Sequence, residues 1–229
     1  MAFMWQTILG SLLALVLAVL LFRQISAAAR RRRGEPERLF AEARTVLENA
    51  TVSPGATAGV YEMTGRYKGD AVQVKLIADT LALRKLPSLW LMTTLPGPMP
   101  VEATLDLMMR PSGPTSFSNF DHLPFTVPTP AGFPDHAVIR SDDPARMLPL
   151  HVIAGQMEPF HGPRAKELLV SPKGVRLVSL MAEADRARYG VFRQADFGDA
   201  VLDPGHLTDS LDRLIALREA IENWHKQAS

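Results

Sequence analysis

The stretch ELLVSPKGVRLVSL, residues 167–180, places two apolar-rich runs around the turn Ser-Pro-Lys-Gly. Valine and leucine favour a pleated, half-buried surface, and Pro172 with Gly174 punctuates the run, so the stretch predicts a β-hairpin and commits the chain to antiparallel pairing. Working outward, residues 60–67 and 71–78 flank Lys68-Gly69-Asp70 in the same way. Val72, Val74 and Leu76 alternate with Gln73 and Lys75, which predicts a second hairpin with one buried face. Residues 88–95, SLWLMTTL, are apolar on both alternating faces between Pro87 and Pro96, and so read as a central strand with Trp90 in the core. Further strand is expected over 136–140 and 189–192. The sheet is therefore expected to be mainly antiparallel.

Two helical patterns accompany it. Asp203 and Pro204 provide an N-cap and a first-turn proline for a terminal helix, in which Leu207, Leu211, Leu214, Ile215, Ile221 and Trp224 form an apolar face. Leu39, Phe40, Ala43, Val46 and Leu47 recur at helical spacing nearer the N-terminus, followed by the small, turn-rich TVSPGATAG at 51–59, which reads as a linker. The fold class is α+β: an antiparallel sheet domain closed by a C-terminal amphipathic helix. Ser141 or Asp142 is expected to cap a helical turn opening at Asp143-Pro144.

Nine of the 18 prolines fall between Pro96 and Pro134, which excludes a long helix there and confines strand to 101–110. Phe117, Phe120, Phe125 and Phe133 punctuate this loop, so it is expected to pack on the domain.

Residues 1–22 carry no charged side chain, and Arg23 with Arg30 to Arg33 follows directly. At about 1.5 Å per residue, some twenty helical residues cross a hydrocarbon layer about 30 Å thick, so a single N-terminal transmembrane helix is expected. The competing reading is a cleaved secretory signal using the small residues 26–29. No lysine or arginine precedes the apolar run, and the basic block follows it, which opposes that reading. By the positive-inside rule the arginines stay cytoplasmic, so the N-terminus lies out and the domain in, at the inner membrane, as a signal-anchor. The expected organisation is an anchor with basic flank at 1–33, an amphipathic helix and linker at 34–59, and a soluble α+β domain at 60–229. Gly10, Ala14 and Ala18 form a strip of small residues on which a second membrane helix could pack.

Beyond the flank, 20 basic residues face 24 acidic ones, so the body lacks the basic surface that phosphate neutralisation requires, and no nucleic acid is expected. With no cysteine there is no disulfide, thiolate zinc site or iron–sulfur cluster. No GxxxxGK, GxGxxG, HExxH or GxSxG occurs, and Asp196-Phe197-Gly198 lacks the other kinase segments. No catalytic residue, metal ligand or cofactor is therefore assigned. Glu158 and His161 have E-x-x-H spacing interrupted by Pro159, and the Asp121-His122 pair is an acid/base candidate only if a nucleophile converges on it.

Arg186 and Arg188 lie on one face of the strand expected near 189, where they form a candidate anion clamp. The layout is similar to that of single-pass bacterial proteins with a cytoplasmic globular domain. Two functions follow. The first is a non-catalytic interaction, scaffolding or accessory protein, whose partners are the bilayer and a membrane protein or a second copy of itself. The alternative is a membrane-tethered enzyme or a binding module for an anionic or lipid-derived ligand.

Overall fold

This computed structural model describes residues 35–57, 59–79, 86–111, 113, 115–186, 189, 195 and 197–228, together with Val19 and Arg23. The expected transmembrane helix and its Gly10, Ala14, Ala18 strip lie outside the described residues. Among those described, no helix is long and apolar enough to cross a membrane.

The described strands are β1 (Glu48–Pro54), β2 (Val60–Tyr67), β3 (Asp70–Asp79), β4 (Ser88–Pro96), β5 (Leu105–Met109), β6 (Phe125–Val127), β7 (Ala137–Ser141), β8 (Ala165–Ser171) and β9 (Gly174–Glu183). They form one sheet in the order β1-β2-β3-β4-β9-β8-β5-β7-β6, and every pairing is antiparallel. Both hairpins expected from the sequence are present, as is the central strand over 88–95. Lys68 and Gly69 turn the first hairpin with φ of 49° and 88°.

The hairpin of β8 and β9 does not sit beside its sequence neighbour β7. It inserts between β4 and β5, with Leu91 opposite Ser179 on one side and Leu107 opposite Leu168 on the other. Gly174 makes both its turn and its fit possible. Its φ is 140°, and a Cβ there would collide with the Leu95 carbonyl oxygen and approach Pro96 Cα to 3.1 Å.

Alternation sorts the strands into two faces. Val74, Leu76, Leu89, Leu91, Leu95, Leu105, Leu107, Val170 and Val175 point to the face that carries the terminal helix. A short helix, α1 (Leu150–Ile153), precedes β8, and α2 (Pro204–Ala228) closes the domain. Asp203 caps α2, with Oδ2 accepting the His206 N–H at 2.9 Å. Leu207, Leu211, Leu214, Leu217 and Ile221 are buried at 3.6-residue spacing, while Ile215 and Trp224 pack at the margin. Around the rim, Tyr67 and Lys68 donate to Asp212 at 2.9 and 2.7 Å, and Arg218 reaches Asp70 at 2.6 Å. Such partly exposed pairs contribute little each, so burial holds the helix and the pairs orient it.

Four expectations are corrected here. The helical pattern near the N-terminus is not one continuous helix: it is helical at 35–39, breaks at 40–42 and resumes as a 3-10 turn, Ala43–Val46, with Leu39, Phe40, Ala43 and Leu47 drawn into the sheet core. The first four residues of the expected linker belong to β1, which pairs with β2. Asp142 caps no helix; its carboxylate accepts the Thr104 N–H at 2.7 Å and hydroxyl at 2.9 Å, and 144–146 stays a turn. Arg186 and Tyr189 are helical rather than strand, with the Tyr189 N–H donating to the Asp185 carbonyl at 3.0 Å.

Phe40→Ala should cost about 3–5 kcal/mol, because it empties a fully buried ring site in this core. Gly174→Ala should cost about 1–3 kcal/mol through strain at a single turn. Urea unfolding of the full chain measures both, and a Phe40→Ala midpoint equal to that of the parent would place residue 40 outside the core.

Candidate functional site

The face of the sheet away from α2 carries Ile77, Met92, Met108 and Val178, covered by Phe117 and Phe120 from the proline-rich loop. That loop therefore packs on the domain as expected. Trp90 lies in this layer, 5.4 Å from Phe117 between ring centroids. Arg140 on β7 secures the cover: Nη1 donates to the Asp121 carbonyl at 3.2 Å, and its guanidinium lies 5.1 Å from the Phe120 ring.

Three further ionisable residues come together in this layer. Asp106 on β5 and Glu167 on β8 are 1% and 0% exposed, and Arg176 on β9 brings Nη2 to 3.1 Å from Glu167 Oε2. Burial first, and then the negative charge of Glu167, pushes the Asp106 carboxyl up to about 9, while Arg176 pulls it down. Burial also raises Glu167, opposed first by Arg176. Removing two carboxylates from water beside one guanidinium leaves an excess negative charge, and holding a proton on Asp106 removes it. Glu167 faces Arg176, and Ser118 from the cover lies beside both acids.

The sequence reading did not single out this cluster. The signal was present, since LDLMM is apolar on both alternating faces except at Asp106, and an acid in such a strand faces a buried layer.

A second polar contact lies under α2. Ser179 Oγ is 2.9 Å from His206 Nε2, and burial lowers the His206 ring, which favours a neutral imidazole sharing a hydrogen bond with the serine hydroxyl. Asp203 binds the His206 backbone rather than orienting its ring, so the contact fastens helix to sheet instead of assembling a triad.

Two shallow grooves open elsewhere. One, of about 520 Å³, is lined by Glu35, Pro54, Val60, Tyr61, Ala78 and Phe197, among others. The other, of about 310 Å³, mixes Arg110, Arg164 and Lys166 with Asp79 and Glu183 beside Trp90. Neither is lined by Asp106, Glu167, Ser179 or His206.

The described sequence candidates line neither groove. Asp121 and His122 are exposed on the 3-10 turn Phe120–His122, and neither groove includes them or Arg186. Arg186 is exposed just beyond β9, and Arg188 lies outside the described residues. Glu158 and His161 end the 3-10 turn Glu158–His161, where Glu158 accepts from Arg213 at 2.9 Å. Among the described residues no cluster of three or more metal-ligating side chains occurs.

No family model matches the chain, and no curated protein matches it in sequence. The crystal structure of the mycobacterial trehalose monomycolate transport factor A is similar to it over 82% of this chain and 94% of that one, with a TM-score of 0.47 and 12% identity.

The acid pair gives a pH signature. The folded chain holds a proton on Asp106 that the unfolded chain releases near the ordinary value of 3.8. This contribution is full below that value and is lost as pH rises towards about 9. Asp106→Asn keeps the neutral form at every pH, so its melting temperature should gain on that of the parent between about pH 5 and about pH 8.5. Paired thermal melts test this, and a gap that does not change with pH would mean that Asp106 is charged in the fold.

Proposed function

We propose that the chain is a single-pass protein of the inner membrane, N-terminus out, whose cytoplasmic α+β domain plays a non-catalytic accessory role. Its work is to bind or organise a membrane-protein partner or a second copy of itself at the bilayer surface. The observation that carries this reading is the short chain between the basic flank and the core. The arginine block ends at Arg33, and Leu39 and Phe40 are already buried at 2% and 0% exposure. Six residues span at most about 20 Å when fully extended, and part of this stretch is helical. A domain mounted so closely works on what else lies in, or touches, the same membrane.

The chemistry of the domain supports the same reading. Its most perturbed acids are sealed between the sheet and the loop, and a reacting group has to come within hydrogen-bond reach of a substrate. Gly10, Ala14 and Ala18 offer the lateral contact within the membrane. The second reading, a module for a lipid-derived ligand, draws on the groove lined by Glu35.

Two measurements test the proposal. A fluorescent reporter fused after Ser229 should be active and an export-dependent phosphatase at the same place inactive; the reverse result overturns the orientation. Solubilised in mild detergent, the intact protein should migrate in an assembly larger than a monomer. Replacing Gly10, Ala14 and Ala18 with leucine should weaken that assembly, and a monomer in every case would remove the accessory role.

A further inference from the structure

We infer that the groove lined by Glu35, Pro54, Val60, Tyr61, Ala78 and Phe197 accepts an acyl chain of a phospholipid from the bilayer that anchors the protein. This rests on the membrane-anchored reading and adds a ligand to it.

Position comes first. Glu35 is two residues beyond Arg33, so the groove wall begins within about 7 Å of chain from the last arginine of the membrane flank. The groove therefore lies at headgroup depth in the anchored protein, where a lipid tail can leave the layer without crossing open water.

Shape and polarity agree. At about 520 Å³ the groove falls within the roughly 300–1,000 Å³ usual for small-molecule sites. Proline, valine, tyrosine, alanine and phenylalanine supply most of its wall, and no lysine, arginine or histidine lines it. Glu35 adds a carboxylate, which disfavours entry of a phosphate or a free fatty-acid carboxylate. The part of a lipid that fits is the uncharged tail, with the headgroup left outside, and Arg30 to Arg33 just before Glu35 in the sequence supply charge that attracts an anionic one.

The frame is also preformed. The Gly55 N–H donates to the Val60 carbonyl and the Ala78 N–H to the Gly59 carbonyl, both at 2.8 Å. These bonds tie the turn between β1 and β2 to the end of β3. On this side a tail meets a wall already held by backbone hydrogen bonds.

The test uses the full chain in vesicles of phosphatidylethanolamine and phosphatidylglycerol containing a trace of phospholipid with a diazirine at the end of one acyl chain. After irradiation, peptide mapping should find adducts within 54–61 and at Ala78 as well as within 1–22. Val60→Asp should lower groove labelling about tenfold and leave labelling of 1–22 unchanged. Adducts confined to 1–22 overturn the inference and leave the anchor standing; their absence from both regions overturns the two together. Because Val60→Asp alters a half-buried strand residue, a second arm places p-benzoylphenylalanine at exposed Ala56. A lipid adduct there supports the inference, whereas a crosslink to a second copy or to another protein overturns it.

Discussion

The fold depends on two seams, where β4 meets β9 and where β5 meets β8. Without the β8–β9 hairpin between them, the chain would hold a four-strand meander, β1 to β4, and a separate group of β5, β7 and β6. Neither group alone offers α2 its apolar floor, because the helix packs across the join, on β4 of the meander and on β9 of the inserted hairpin. Gly174 sits where this join is tightest, against the end of β4. Side-chain burial supplies the energy, and the backbone pairing of one hairpin decides where that burial happens.

The two faces of the sheet solve different problems. Beneath α2 the layer is mostly hydrocarbon, interrupted by the Ser179–His206 contact, with Tyr67, Lys68, Asp70, Asp212 and Arg218 pairing at its edge. On the other face Asp106, Glu167 and Arg176 are embedded among methionines and phenylalanines. Burying such a cluster is seldom more stabilising than an apolar replacement would be. It does penalise misalignment. Moving β5 by one residue would turn Asp106 into the hydrocarbon layer under α2 and bring Leu105 or Leu107 out beside Glu167 and Arg176. The cluster thus fixes register between strands whose leucines and methionines would otherwise tolerate a slip.

Local features of the fold were legible in the sequence, and long-range ones were not. The hairpins at 60–78 and 167–180 declared themselves because alternation and turn chemistry coincide within fifteen to twenty residues. The terminal helix did so through Asp203, Pro204 and its leucines. β1 escaped because it is an edge strand, mostly exposed, built from Glu48, Asn49, Thr51, Ser53 and Pro54, which in one dimension look like a linker. Sheet order escaped because nothing in residues 165–183 states which strands they will separate. Of the candidate site, the apolar loop cover was readable from its phenylalanines. Asp106 and Glu167 were not read as partners, since 60 residues lie between them and nothing local to either strand names the other.

The place of the hairpin in the chain has a cost during synthesis. The ribosome releases β4 and β5 well before residues 165–183 exist, so each strand waits with an unsatisfied backbone edge and a leucine-rich flank. The nascent protein therefore passes through an interval in which it is open to pairing with other chains. Folding ends only when the last part of the sheet arrives and α2 closes over it.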